Sequence, residues 1–212
     1  MTATDGSRLG LRNALAAALA GAAACGLFWL LFPDKTLPQL THRLLGLPGP
    51  GSGVCVAFGP FLIAACLLVF NLSGSAWSIW VTGCAFGLLH SVFTPPVFPG
   101  VKTIGSVGPL PLRIAAVVLT AGVLGLSVHA LRKRSRALRY CLSAVGANLA
   151  LAGFYWSAVY PLAGKGWVKP GSQVVLLGAA AVAAVALGAL IPLAHARYCS
   201  GGGERDSRLS LP

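Results

Sequence analysis

The chain has 212 residues, 56% of them apolar and only 9% charged, with sixteen Lys and Arg against four Asp and Glu. A soluble domain of this length needs a charged surface, and this composition cannot build one. Lipid admits only helices or a closed barrel, and the long uninterrupted apolar runs lack the alternation of a barrel. The expected fold is all-α: a polytopic integral membrane protein with six transmembrane helices.

The first run, 13–32, follows Arg8 and Arg12. It reads as a retained helix, because its apolar length exceeds a signal-peptide core and no small-residue cleavage site follows Phe32. The others are 54–71, 76–94, 112–131, 139–162 and 173–196. Each is near the ~20 residues that cross ~30 Å of hydrocarbon. The third, 76–94, is the shortest and most polar, and Pro95-Pro96 ends it, since proline cannot continue a helix. Residues 1–12 form an N-terminal segment, 13–196 the membrane domain and 197–212 a flexible tail.

Basic residues near span ends set the orientation. With the N-terminus in the cytoplasm, ten fall inside: Arg8, Arg12, Arg132, Lys133, Arg134, Arg136, Arg139, Arg197, Arg205 and Arg208. Six fall outside: Lys35, Arg43, Lys102, Arg113, Lys165 and Lys169. Both termini are then cytoplasmic and the chain is a multi-pass protein of the plasma membrane. The net charge of +12 is chiefly this topological signal, with anionic-lipid binding at 131–139 in addition and no nucleic-acid role. The inner connections, 72–75 and 131–139, are short. The outer ones, 33–53, 95–111 and 163–172, are longer and rich in Gly and Pro; they read either as plain connections or as a lid over an outward cavity.

The first helix is a run of small residues. Ala14, Ala18 and Ala22 form one i, i+4 row and Ala17, Gly21 and Cys25 another, a pattern that lets helix backbones approach closely in lipid. Either row serves internal packing or docks a membrane partner. A second Ala-rich stretch runs from Gly178 to Gly188.

No Asp or Glu falls within the six runs, which argues against proton- or cation-coupled carriage. His-Glu-x-x-His, P-loop and dinucleotide patterns are missing. The six cysteines are scattered without a Cys-x-x-Cys and read as small hydrophobes. A haem between His129 and His195 is conceivable in depth, but interfacial histidines are commoner. No metal, no cofactor and no catalytic residue is expected.

Polar and aromatic residues gather at outer depth instead: Trp80, Thr82, His90, Ser91 and Thr94; Arg113; Asn148, Tyr155, Trp156, Ser157 and Tyr160; and Gln173. Trp29 and Trp167 fit an interfacial aromatic belt. Asn148, near mid-span, either hydrogen-bonds a neighbouring helix or holds a heterocycle by its amide. With Lys102 and Lys165 above them, these residues suit a small planar or anionic metabolite.

Six helices in about 200 residues, both termini inside, the Ala14/Ala18/Ala22 first helix and elaborate outer loops resemble the substrate-binding S component of energy-coupling factor vitamin transporters. The resemblance is architectural and covers residues 13–196. It implies a chain without catalysis, which docks through Ala14, Ala18 and Ala22 onto a transmembrane coupling subunit driven by two ATPases. It also implies substrate binding among Trp80, His90, Arg113, Asn148, Tyr155, Trp156 and Lys165. The Met-His start of metal-taking members is absent, which disfavours metal as cargo. Two other readings stay open: a non-catalytic accessory subunit of a larger complex, and a lipid-modifying enzyme with His90 as base beside Ser91 or Thr94.

Overall fold

The computed structural model describes residues 3–32, 41, 43, 45–47, 52–93, 110–162 and 169–198. The described residues form six helices and no strand. They are α1 (Ala3–Leu31), α2 (Val54–Ser73), α3 (Ala76–Phe93), α4 (Leu110–Ala130), α5 (Arg136–Val159, continuing to Leu162) and α6 (Pro170–Tyr198). Five are long and apolar enough to cross a membrane, and the apolar part of α3, Ala76–Val92, falls just short of that length. The chain is thus a multi-pass membrane protein. α1 begins ten residues before the apolar run, which sets only its spanning part, Gly10–Leu31.

The helices alternate in direction and leave two poles. At one, Phe28 near the end of α1 meets Phe58 at the start of α2 and His90 at the end of α3. At the other, Asn71 at the end of α2 meets Tyr140 at the start of α5 and Pro192 near the end of α6. The first, which receives the three long connections, is the loop pole. The second is the basic pole. The turn 72–75 closes tightly there: α2 ends at Gly74, whose φ of 67° is the left-handed C-cap conformation, and its N–H donates to the carbonyl of Phe70 at 2.8 Å.

α2 is the hub, with 67% of its apolar span buried, whereas α1 is peripheral at 22%. α1 is held mainly by α3, through Ala17, Gly21, Cys25 and Phe28. A Cβ on Gly21 would lie 2.5 Å from the carbonyl oxygen of Thr82, and the Thr82 hydroxyl donates to the carbonyl of Ala17 at 3.2 Å. The inward-facing row of α1 is therefore Ala17/Gly21/Cys25. Ala14, Ala18 and Ala22 lie beside it, half-buried. The α3–α4 seam uses the same device, Gly87 meeting Val117 and Gly83 meeting Ala121. Dispersion between closely approached backbones is what holds helices together where lipid removes the hydrophobic drive.

Three helices widen into π-turns: α2 at Val54–Phe58, α5 at Tyr155–Val159 and α6 at Ala184–Ala189. Each precedes or adjoins a proline: Pro60, Pro161 and Pro192. A proline ring clashes with the carbonyl four residues earlier and supplies no N–H. Those carbonyls belong to Val56, Ser157 and Gly188, and each lies inside its π-turn. Local widening relieves the clash without ending the helix.

Candidate functional site

At the loop pole the bundle interior turns polar. His90 comes from the last turn of α3 and Ser91 follows it; they are 1% and 2% exposed. Arg113 enters from the first turn of α4 and is 6% exposed. Tyr155 and Trp156 arrive on the π-turn of α5, and Ser52 stands just before that of α2, all buried. Thr41, from the first connection, is buried as well. Its carbonyl accepts the Leu47 N–H at 2.9 Å.

His90 sits in an aromatic box. The rings of Phe58, Phe28 and Phe86 lie 4.6, 5.6 and 6.1 Å from it, centre to centre. The indole Nε1 of Trp29 donates to His90 Nδ1 at 3.2 Å. With Nδ1 accepting, a neutral imidazole carries its hydrogen on Nε2. The Arg113 guanidinium lies within electrostatic reach of both His90 and the Tyr155 phenol. Three helices therefore bring a histidine, an arginine and a tyrosine to one depth. The hydroxyl of Ser52 and the indole N–H of Trp156 are buried there without a hydrogen-bond partner. An N–H or O–H enclosed in this way lacks the partner that buried polar groups ordinarily find.

Asn148 lies deeper and is already committed. Its Nδ2 donates to the carbonyl oxygens of Cys55 and Ala180, both at 2.8 Å. Its Oδ1 faces Gly59, where a Cβ would come within 2.0 Å of it. Both amide hydrogens are used, whereas Oδ1 is buried without a hydrogen-bond partner. Asn148 thus joins α2, α5 and α6 through its two amide hydrogens.

Trp80 also stands apart. It is ten residues before His90, about 15 Å along the helix axis. Its ring lies on α4 against Gly122 and Gly125, where Cβ atoms would fall 2.8 and 3.0 Å from it. The expectation that Trp80 joins the outer cluster is corrected accordingly: apolar periodicity marks a face and leaves depth to be read from the span ends. Lys165, Lys102, Thr94 and Trp167 lie outside the described residues, as do most of the three long connections, so the lid reading falls there too. Ser157 is exposed and Gln173 half-buried.

Sequence reasoning missed Trp29, Ser52 and the three phenylalanines. Trp29 had an adequate local account as an interfacial aromatic, and only the contact with His90, 61 residues away, reveals its second role. The five described cysteines are unbridged: Cys25, Cys55 and Cys66 buried, Cys84 and Cys141 half-buried. Among the described residues no group of three or more His, Cys, Asp or Glu is placed to hold a metal. His129 is exposed and His195 half-buried, at the basic pole.

Comparison with protein-family models, with curated proteins and with solved structures gives no match in any of the three.

Proposed function

We propose that the chain is the substrate-binding membrane component of a micronutrient uptake transporter, of the kind typified by energy-coupling factor S components, taking a vitamin-like metabolite at the loop pole. The observation that carries this reading is the proximity of Arg113 to both His90 and Tyr155, from three helices, at the pole where the Ser52 and Trp156 donors are buried without partners. A cation near an imidazole and a phenol, with hydrogen-bond donors at the same pole, suits a flat molecule bearing an anionic or acceptor-rich group. Trp156 and Tyr155 supply ring surface and donors, and Arg113 balances charge, with Lys165 available from the third connection.

On this reading the chain performs no chemistry itself. His90 is an unpromising general base, because its Nδ1 accepts from Trp29 and no carboxylate occurs in the spans to orient the ring. Transport would be driven by a coupling subunit and its ATPases, met through the peripheral helix α1. Its half-buried Ala14, Ala18 and Ala22 offer a small-residue face beside the one already used by α3. With cytoplasmic termini, the loop pole faces outward and the plasma membrane is the site of action.

The test is to extract the chain gently from its native membranes and identify co-purifying proteins by mass spectrometry. A transmembrane coupling subunit with an ATPase pair is the expected result. A different large assembly lacking any ATPase would favour the accessory-subunit reading.

A further inference from the structure

The basic pole carries a feature that uptake does not require. α5 starts at Arg136 behind Ser135, whose hydroxyl accepts the Leu138 N–H at 3.4 Å. A helix N-terminus bears positive partial charge and favours acids in its first turn. Here that turn contains no acid. It holds Arg136 and Arg139 and follows Arg132, Lys133 and Arg134. Five cations and the dipole repel one another unless an anion joins them.

Topology alone would account for cations in a connection, but it would not fix one in place. The Arg139 guanidinium lies over the rings of Phe70, at 5.8 Å, and Tyr140, at 5.4 Å. The Tyr140 hydroxyl donates to Asn71 Oδ1, and Asn71 Nδ2 donates to the carbonyl of Pro192 at 2.8 Å. The first turn of α5 is thereby tied to the last turns of α2 and α6, with Arg139 clamped at their junction. Its Nε is buried without a hydrogen-bond partner. Arg136, on the same face at i−3, is exposed and within electrostatic reach of Tyr140. Arg132, Lys133 and Arg134 are exposed in the preceding turn. In a chain whose helices span the bilayer, this turn between α4 and α5 lies at headgroup depth.

We infer that the α4–α5 turn and the first turn of α5 bind the phosphate of an anionic phospholipid headgroup, with Arg136 and Arg139 as its principal partners. The guanidinium fork matches two phosphate oxygens, and an aromatic-clamped arginine loses less freedom on binding than a free one. Arg132, Lys133 and Arg134 add long-range attraction to an anionic leaflet. The site stands independently of any ligand at the loop pole.

The test is native mass spectrometry of the full chain in detergent, titrated separately with phosphatidylglycerol, phosphatidylcholine and inorganic phosphate. Phosphatidylglycerol should be retained at least tenfold more than phosphatidylcholine, and millimolar inorganic phosphate should not displace it. Arg136→Gln and Arg139→Gln should each weaken retention about fivefold. Arg136→Gln decides the matter if Arg139→Gln loosens the bundle, since Arg136 is exposed. Equal retention of the two lipids, or an unchanged preference in Arg136→Gln, would overturn the inference. Inorganic phosphate binding alone as well as the lipid would overturn it in favour of a free-anion site.

Discussion

Asn148 supplies the hydrogen bond that Pro60 takes away from Cys55. In the π-turn of α2 the Gly59 N–H donates to the carbonyl of Val54, and residue 60 has no N–H. The Cys55 carbonyl thus loses both helical donors, and the Asn148 amide reaches it from α5 at 2.8 Å. A carbonyl orphaned in a lipid-embedded bundle is costly, so the amide across the seam is the counterpart of the proline.

This pairing predicts non-additivity. Asn148→Ala should destabilise the folded chain by about 1–3 kcal/mol, through two lost hydrogen bonds and the exposed needs of their acceptors. In a Pro60→Ala background, residue 60 regains an N–H and the same substitution should cost less. Unfolding midpoints of the four proteins in mixed micelles give the coupling directly. Strictly additive losses would show that the proline and the amide act separately.

The glycines at close approaches should divide sharply from those in open positions. Gly59→Ala places a methyl 2.0 Å from Asn148 Oδ1, and Gly87→Ala places one 2.3 Å from Val117 Cγ1. Each should lower stability by about 2 kcal/mol or more, as overpacking does. Gly146→Ala, on α5 with nothing within 4 Å, should be neutral or raise stability by about 0.5–1 kcal/mol. Thermal melts of the three variants in one detergent check the order.

On α1 the two small-residue rows should behave differently. Ala17→Leu drives a large side chain into the seam with α3, where Ala17 is 1% exposed, and should prevent stable folding of the chain alone. Ala18→Leu, half-buried, should leave the isolated chain folded and reduce recovery of any partner subunit. Size-exclusion profiles and pull-down yields separate the two outcomes.

The helices and their ends were legible because composition, apolar run length and proline position act locally. The six runs map onto α1 to α6. The depth of polar residues was partly legible: His90, Arg113 and Tyr155 share a level because each lies near the matching end of its own span. Trp80 shows where this fails, for its packing against Gly122 and Gly125 depends on which faces of α3 and α4 meet. The choice between the two small-residue rows of α1 was likewise hidden, since both carry the same spacing and only α3 selects one. Asn148 had the right chemistry for ligand or helix, and the helix partners of its Nδ2, 93 and 32 residues away, could not be read from the sequence.

The loop-pole cluster makes a graded prediction for ligand retention. Arg113→Gln and Tyr155→Phe should weaken it about tenfold or more, because each removes a charge or donor from a buried site. Trp80→Phe, about 15 Å along α3 from His90, should leave it unchanged. Each variant would be compared with the parent at matched helicity by circular dichroism.

The central claim rests on a small molecule held at that pole, so the most direct measurement is a metabolite census. Parent and Arg113→Gln chains would be purified identically from native membranes, denatured, and their released small molecules identified by mass spectrometry. The account predicts one planar, acceptor-rich or anionic metabolite near one per chain in the parent and strongly depleted in Arg113→Gln. No metabolite above background in the parent, or equal amounts in both, would contradict it.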